Sequence, residues 1–200
     1  MTTFLLIRHG ETDAVGRTMA GRMPGWHLNP QGREQVQKLA DKLSTLPLKA
    51  VYTSPLERAV ETAVPIARRH GLEPQSVTEL NEMHVGEWEG LSFEELETRE
   101  EWKRFNTYRS ATRCPGGEMM LDVQTRMMAA LKRLRRIHMD EAVAVVSHGD
   151  PLRSAVAYYL GIPLDFMLRF EISPASLSVV EASDWGVRVL CLNATVEALP

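Results

Sequence analysis

The sequence predicts an α/β fold built around a mostly parallel sheet, on three observations. Short apolar, β-branched runs alternate with amphipathic stretches, two of those runs end in a His-Gly turn, and no Pro/Gly/Ser-rich linker divides the chain. Runs so short and so uniformly apolar suit strands covered on both faces rather than surface helices.

Phe4 to Ile7 is the first such run, and it empties into Arg8-His9-Gly10-Glu11-Thr12. In open α/β sheets ligands collect beyond the carboxyl ends of the strands, so Arg8 and His9 stand where chemistry is usually done. Asn29-Pro30 can cap and open a helix whose apolar positions Val36, Leu39, Ala40 and Leu43 share one face. Val51 to Thr53 reads as a second strand, turning at Ser54-Pro55 into a helix from about Leu56, which Pro65 is expected to kink or interrupt. Arg58 falls in that helix's first turn, where the macrodipole disfavours a cation unless an anion occupies the site. A third helix opens after Gly116-Gly117 and carries Met120, Val123, Met127, Leu131 and Leu134 as core packing. Ala142 to Val146 is another apolar run; it empties into Ser147-His148-Gly149-Asp150-Pro151, with a helix-like segment following to Leu160. Leu177 to Glu181 and Val187 to Leu192 read as a hairpin around Ser183-Asp184-Trp185-Gly186.

An isolated Arg-His-Gly is an ordinary strand exit, but here two strands each deliver a His-Gly to a carboxyl end. If they are neighbours in one sheet they lie roughly 5 Å apart, and the two imidazoles can converge on one atom. A phosphate monoester is close to a dianion at neutral pH, so displacement at phosphorus needs neutralised charge and an in-line nucleophile. Arg8 and Arg58 offer planar donor forks to the non-bridging oxygens. A neutral His9 can attack phosphorus and split one hard step into two, while His148 donates to an equatorial oxygen. For the leaving alkoxide, Glu82 is the candidate acid: it precedes a turn mixing acids with aromatics, and a carboxyl shielded from water has a raised pKa. Glu79, Glu87 and Glu89 are its local competitors.

These residues resemble the histidine phosphatase superfamily, also called phosphoglycerate mutase-like. The matching blocks are Arg8 to Thr12, Thr53 to Ala63, Leu80-Asn81-Glu82 with Gly86 to Gly90, Pro115 to Glu118, and Ser147-His148-Gly149, in the family's order from Met1 to about Leu160. The resemblance implies a three-layer α/β/α sandwich with an antiparallel edge strand. It implies His9 as nucleophile, Arg8, Arg58 and His148 as phosphate pocket, and Glu82 as acid; Thr12, Gly21 and Gly149 join the substrate-binding set. Length and later motifs look most like small bacterial phosphatases and phosphomutases. The chain also departs from the family: Val15 stands where an Asn often contacts phosphate, His27 follows Trp26 where an acid is usual, and Met119 replaces a common Ser.

Two hundred residues with 44% apolar content suit one domain, 1–200. The aromatic-rich stretch at about 83–115 is expected to fold over the sheet's carboxyl edge as a cap. A net charge of −3 confines any attraction for phosphate to the Arg/His cluster and gives nucleic acid binding no support. Cys114 and Cys191 have neither metal-ligand spacing nor disulfide density, and no signal or membrane segment stands at Met1-Thr2-Thr3, so the expected location is cytoplasmic. The expected partner is a small phosphate ester, without cofactor, metal, membrane or nucleic acid. The strand near Leu177 to Leu192 could pair with a copy of itself as a homodimer or be covered by a helix.

Hydrolysis is favoured over phosphoglycerate mutase-type transfer, because only 66 positions separate Glu82 from His148 and the mutases' larger insertion is missing. A non-catalytic phospho-ligand binding module is disfavoured by the intact set of catalytic side chains. A two-His-one-carboxylate metal site on His9, His148 and Glu82 is disfavoured by two arginines in the same pocket.

Overall fold

The computed structural model describes residues 1–198. Six strands form one sheet in the order β3-β2-β4-β1-β5-β6. They are β1 (Thr2–Arg8), β2 (Leu48–Thr53), β3 (Pro74–Ser76), β4 (Ala142–Ser147), β5 (Leu177–Ala182) and β6 (Val187–Ala194). The first four in chain order run parallel, as their crossovers through helices require. Only β5 runs against β1, and β6 pairs antiparallel to β5, so the reversed strand lies one place in from the edge.

Apolar residues alternate between the two faces of β1 and β4, and each face has its own helical layer. Leu5, Ile7, Ala144 and Val146 pack on α1 (Pro30–Leu43) and α2 (Glu57–Arg69). Phe4, Leu6, Val143 and Val145 pack on α5 (Met120–Ile137) and α6 (Gly149–Leu160). The result is the three-layer α/β/α sandwich. Asn29 caps α1 by accepting the Gly32 N–H at 2.7 Å, with Pro30 in the first turn. In α5 Met119 offers no capping hydroxyl, and the reciprocal half of a capping box remains, the Asp122 carboxylate accepting the Met119 N–H.

Two features differ from expectation. α2 runs through Pro65 without interruption. Its buried stripe Ala59, Ala63, Ile66 and Ala67 continues on both sides of the proline, so packing against the sheet holds the helix where one backbone bond is missing. β3 is three residues of Pro-Gln-Ser, too short and polar to carry a strand pattern.

Between Met83 and Pro115 lie a 3-10 turn (Gly86–Trp88), α3 (Phe93–Glu97) and α4 (Glu100–Thr107). Trp88 meets the edges of Trp102 and Phe105, each at 5.3 Å between centroids. With Met83, Val85, Leu96 and Met120 these rings form a third apolar cluster. Gly86, at φ +57°, and Gly117 let two backbones touch: a Cβ at 86 would stand 2.1 Å from the Pro115 carbonyl, and one at 117 would stand 2.3 Å from that of His84.

Candidate active site

The β1–β4 register aligns Arg8 with Ser147, so the next residue on each strand is a histidine leaving the sheet at the same level. The His9 and His148 rings meet edge-on with centroids 5.1 Å apart, and both are buried. His9 Nδ1 lies 2.7 Å from the Gly10 carbonyl. A carbonyl only accepts, so Nδ1 carries the hydrogen and Nε2 keeps its lone pair. Burial pushes the His9 pKa well below its ordinary value, and Arg58 and Arg8 push it further down, so the ring is neutral. His148 is lowered by the same causes, with burial first.

α2 begins immediately after the β2 exit and points Arg58 into the same space. Its Nη2 donates to the Gly21 carbonyl at 2.8 Å, tying down the loop after β1. Arg8 donates through Nη1 to the Ile172 carbonyl at 2.6 Å. Three buried donors have no protein partner here: Arg8 Nε, Arg58 Nη1 and His148 Nδ1. Buried polar atoms are normally paired, so an orphaned set at one site marks the place of a ligand rich in acceptors.

Glu82 lines the same cavity, with its side chain 18% exposed and Oε2 3.9 Å from His148 Nδ1. Burial, then the neighbouring Asp150 carboxylate, raises its pKa to about 7; Arg58, the Met83 N–H and Arg8 oppose the rise. Asp150 itself stays ionised: burial pushes it up, but Arg109 at 2.9 Å and Arg153 hold it below the usual range.

All eight residues singled out from the sequence come together. Arg8, His9, Thr12, Gly21, Arg58 and Glu82 line a cavity of about 110 Å³. His148 stands against His9, and Gly149 lies beside Arg8, where a Cβ would be 3.4 Å from the guanidinium carbon. The lining also includes Val15.

The model of the histidine phosphatase superfamily (branch 1) matches residues 4–195. The chain belongs to this superfamily. It is 32% identical over 199 residues to phosphoserine phosphatase 1 of Hydrogenobacter thermophilus, spanning 98% of this chain and 93% of that protein. Bacillus stearothermophilus YhfR superposes with a TM-score of 0.91 at 29% identity, over 98% of both chains. The mycobacterial glucosyl-3-phosphoglycerate phosphatase Rv2419c superposes with a TM-score of 0.86 at 27% identity, over 96% of this chain and 99% of that one.

Within this histidine phosphatase superfamily member, several residues near the site carry contacts to which the sequence assigned no role. Ser54 Oγ is 2.7 Å from His148 Nε2; when the hydroxyl donates there rather than to Asn81 Oδ1 at 3.4 Å, His148 Nδ1 carries the ring hydrogen. Thr62 accepts the Gly10 N–H at 3.0 Å and donates to the Arg58 carbonyl, joining the His9-Gly10 turn to α2. Arg126 donates to the carbonyls of Glu79, Asn81 and Glu82, and Glu118 binds both Arg126 and Arg22, which also holds the Glu82 carbonyl. The only signal for Thr62 is its one-turn spacing from Arg58; the others act across more than forty positions or, for Glu118, through a motif without an assigned partner.

Proposed function

We propose that this protein is a phosphomonoesterase that hydrolyses a small phosphate ester through a phosphohistidine on His9. The observation that carries the reading is the set of three unpartnered buried donors, from Arg8, Arg58 and His148, beside a neutral imidazole with Nε2 free. Three donors match the three non-bridging oxygens of a phosphoryl group, whose charge must be neutralised as the bond order to the leaving group falls. The relatives named as phosphatases of phosphoserine and of glucosyl-3-phosphoglycerate support the same reaction class.

In the first step His9 Nε2 forms a bond to phosphorus while the bond from phosphorus to the ester oxygen breaks. Glu82, protonated up to about pH 7, gives its proton to the departing alkoxide. In the second step Glu82, now a carboxylate, takes a proton from water as that water attacks phosphorus and the N–P bond breaks. Inorganic phosphate leaves and both residues return to their starting states. Residues 83–115 act as a cap in this reading: Met83, Val85 and Phe93 face the leaving group, whereas Trp88 and Phe105 anchor the segment to the body. The whole chain, 1–200, then works as one domain.

A phosphate-ester screen of wild type beside His9→Ala tests the proposal. Wild type should release inorganic phosphate and, on rapid quench, carry an acid-labile, base-stable phosphate; His9→Ala should lose roughly a thousandfold or more in kcat/KM. Turnover that survives the substitution unchanged would overturn the assignment. Incubation with 3-phosphoglycerate and its bisphosphate primer separates hydrolysis from mutase-type transfer, because a mutase forms the isomer faster than it releases phosphate.

A further inference from the structure

The cavity's charges are unevenly placed. Its cations are Arg8 and Arg58, each with one buried nitrogen that has no protein partner. Around the rest of the lining stand two carboxylates, Glu82 and Asp150, and no further Lys or Arg. Arg22, Arg126 and Arg109 lie behind these groups, engaged with Glu118, with the carbonyl of Glu82 and with Asp150. The apolar part of the same lining includes Val15, Met19, Met83, Val85 and Phe93. Its two halves are joined by backbone bonds: the Met19 N–H donates to the Leu91 carbonyl, that of Gly90 to the Met19 carbonyl, and that of Phe93 to the Arg17 carbonyl.

A leaving group that carries its own carboxylate or second phosphate would have to bury that charge among these apolar side chains, where the lining holds no cation besides the two arginines. Such an unpaired charge is expensive to desolvate. An uncharged leaving group with alkyl or aryl surface gains by covering the same side chains. Thr12 and Thr18, also on the lining, can serve hydroxyls.

Resting on the phosphatase reading, we infer that the substrate is a monophosphate whose leaving group bears no negative charge and is largely apolar, and that Val15, Met19 and Phe93 select it. This preference excludes phosphoglycerate and the bisphosphate primer of a mutase as good substrates. It also separates this chain from relatives whose names specify carboxylate-bearing esters.

The test compares n-butyl phosphate, sn-glycerol 3-phosphate and 3-phosphoglycerate, all esters of unactivated alcohols, so that leaving-group chemistry is nearly constant. The expected order of kcat/KM is butyl, then glycerol, then phosphoglycerate, with the first exceeding the last by about tenfold or more. In the series ethyl, propyl, butyl, each methylene should add roughly fourfold. Val15→Arg should narrow the gap by raising the phosphoglycerate value, and Met19→Lys repeats the trial from the neighbouring position. Phosphoglycerate turned over as well as butyl phosphate would overturn the inference while leaving the phosphohistidine reading intact. A gap unmoved by both charge insertions would also overturn it. Should wild type turn over none of the esters, calorimetric binding to His9→Ala decides: tighter binding of butyl phosphate supports the preference, and the reverse order or no binding overturns it. Absence of phosphate on wild-type His9 would sink the hydrolase reading separately.

Discussion

Glu82 is the residue whose environment has most to do with its chemistry. With its carboxyl raised to about 7, the protonated acid needed for the first step is present below that value and lost above it. The kcat/KM profile should therefore show a basic limb near pH 7 that reports the free enzyme. Glu82→Gln should lower kcat by roughly a hundredfold or more for alkyl esters. The loss should be much smaller for p-nitrophenyl phosphate, whose leaving group needs no proton; equal losses on both would reject the acid role. Asp150 is one of the causes that raise Glu82, so Asp150→Asn should move the basic limb to lower pH, with Asn still able to accept from Arg109. A limb that stays in place or moves to higher pH would show that Asp150 does not act through Glu82. At this scale the sequence was informative where a residue type and its position coincide, as at Arg8, His9 and Arg58. It was silent for Ser54 and Arg126, whose partners stand 94 positions away at His148 and 44 away at Glu82.

Elements matter here mainly for how they hold loops. The loop carrying Glu82 is fixed by Arg126 of α5, whose guanidinium donates to three carbonyls, those of Glu79, Asn81 and Glu82. Arg126→Met keeps the stem's packing and removes those donors. It should cost about 2 kcal/mol or more in stability, since buried carbonyls lose charged partners, and should reduce kcat more than it raises KM. Denaturant unfolding beside steady-state kinetics reads both. The contact between residues 83–90 and 114–118 is stricter still. A methyl at Gly86 meets the Pro115 carbonyl at 2.1 Å in a left-handed backbone, so Gly86→Ala should destabilise by about 2 kcal/mol or more, seen as a lowered Tm. The helix periodicity of α1 and α5 was plain in the sequence because their buried faces are long. Pro65 does not interrupt α2 because packing outweighs a proline's local cost; that cost is visible in sequence while the packing is not.

For the whole molecule, the β/α alternation and the three layers were legible because a strand buried on both faces leaves an unbroken apolar run, and β1, β2 and β4 all do so. β3 is a short edge strand and left no such trace. The direction of β5 depends on how the hairpin docks against β1, which turn chemistry alone does not specify. Among the described residues, no helix is long and apolar enough to cross a membrane. The aromatics at 83–115 divide in a way that composition could not reveal: Trp88 and Phe105 are core, Tyr108 is exposed, and Phe93 reaches the cavity.

The pairing of Arg8 with Ser147 has a consequence for how this chain can vary. Because side chains alternate across a pleated ribbon, sliding β1 by one residue along β4 would exchange inward and outward faces and carry His9 out of step with His148. The chemistry is thus written in the phase of two ribbons as much as in the identity of two rings. On the proposed mechanism, lengthening β1 by a single residue before Arg8 would abolish turnover even with His9, His148 and both arginines retained, whereas growth in the distant connections would leave that phase untouched.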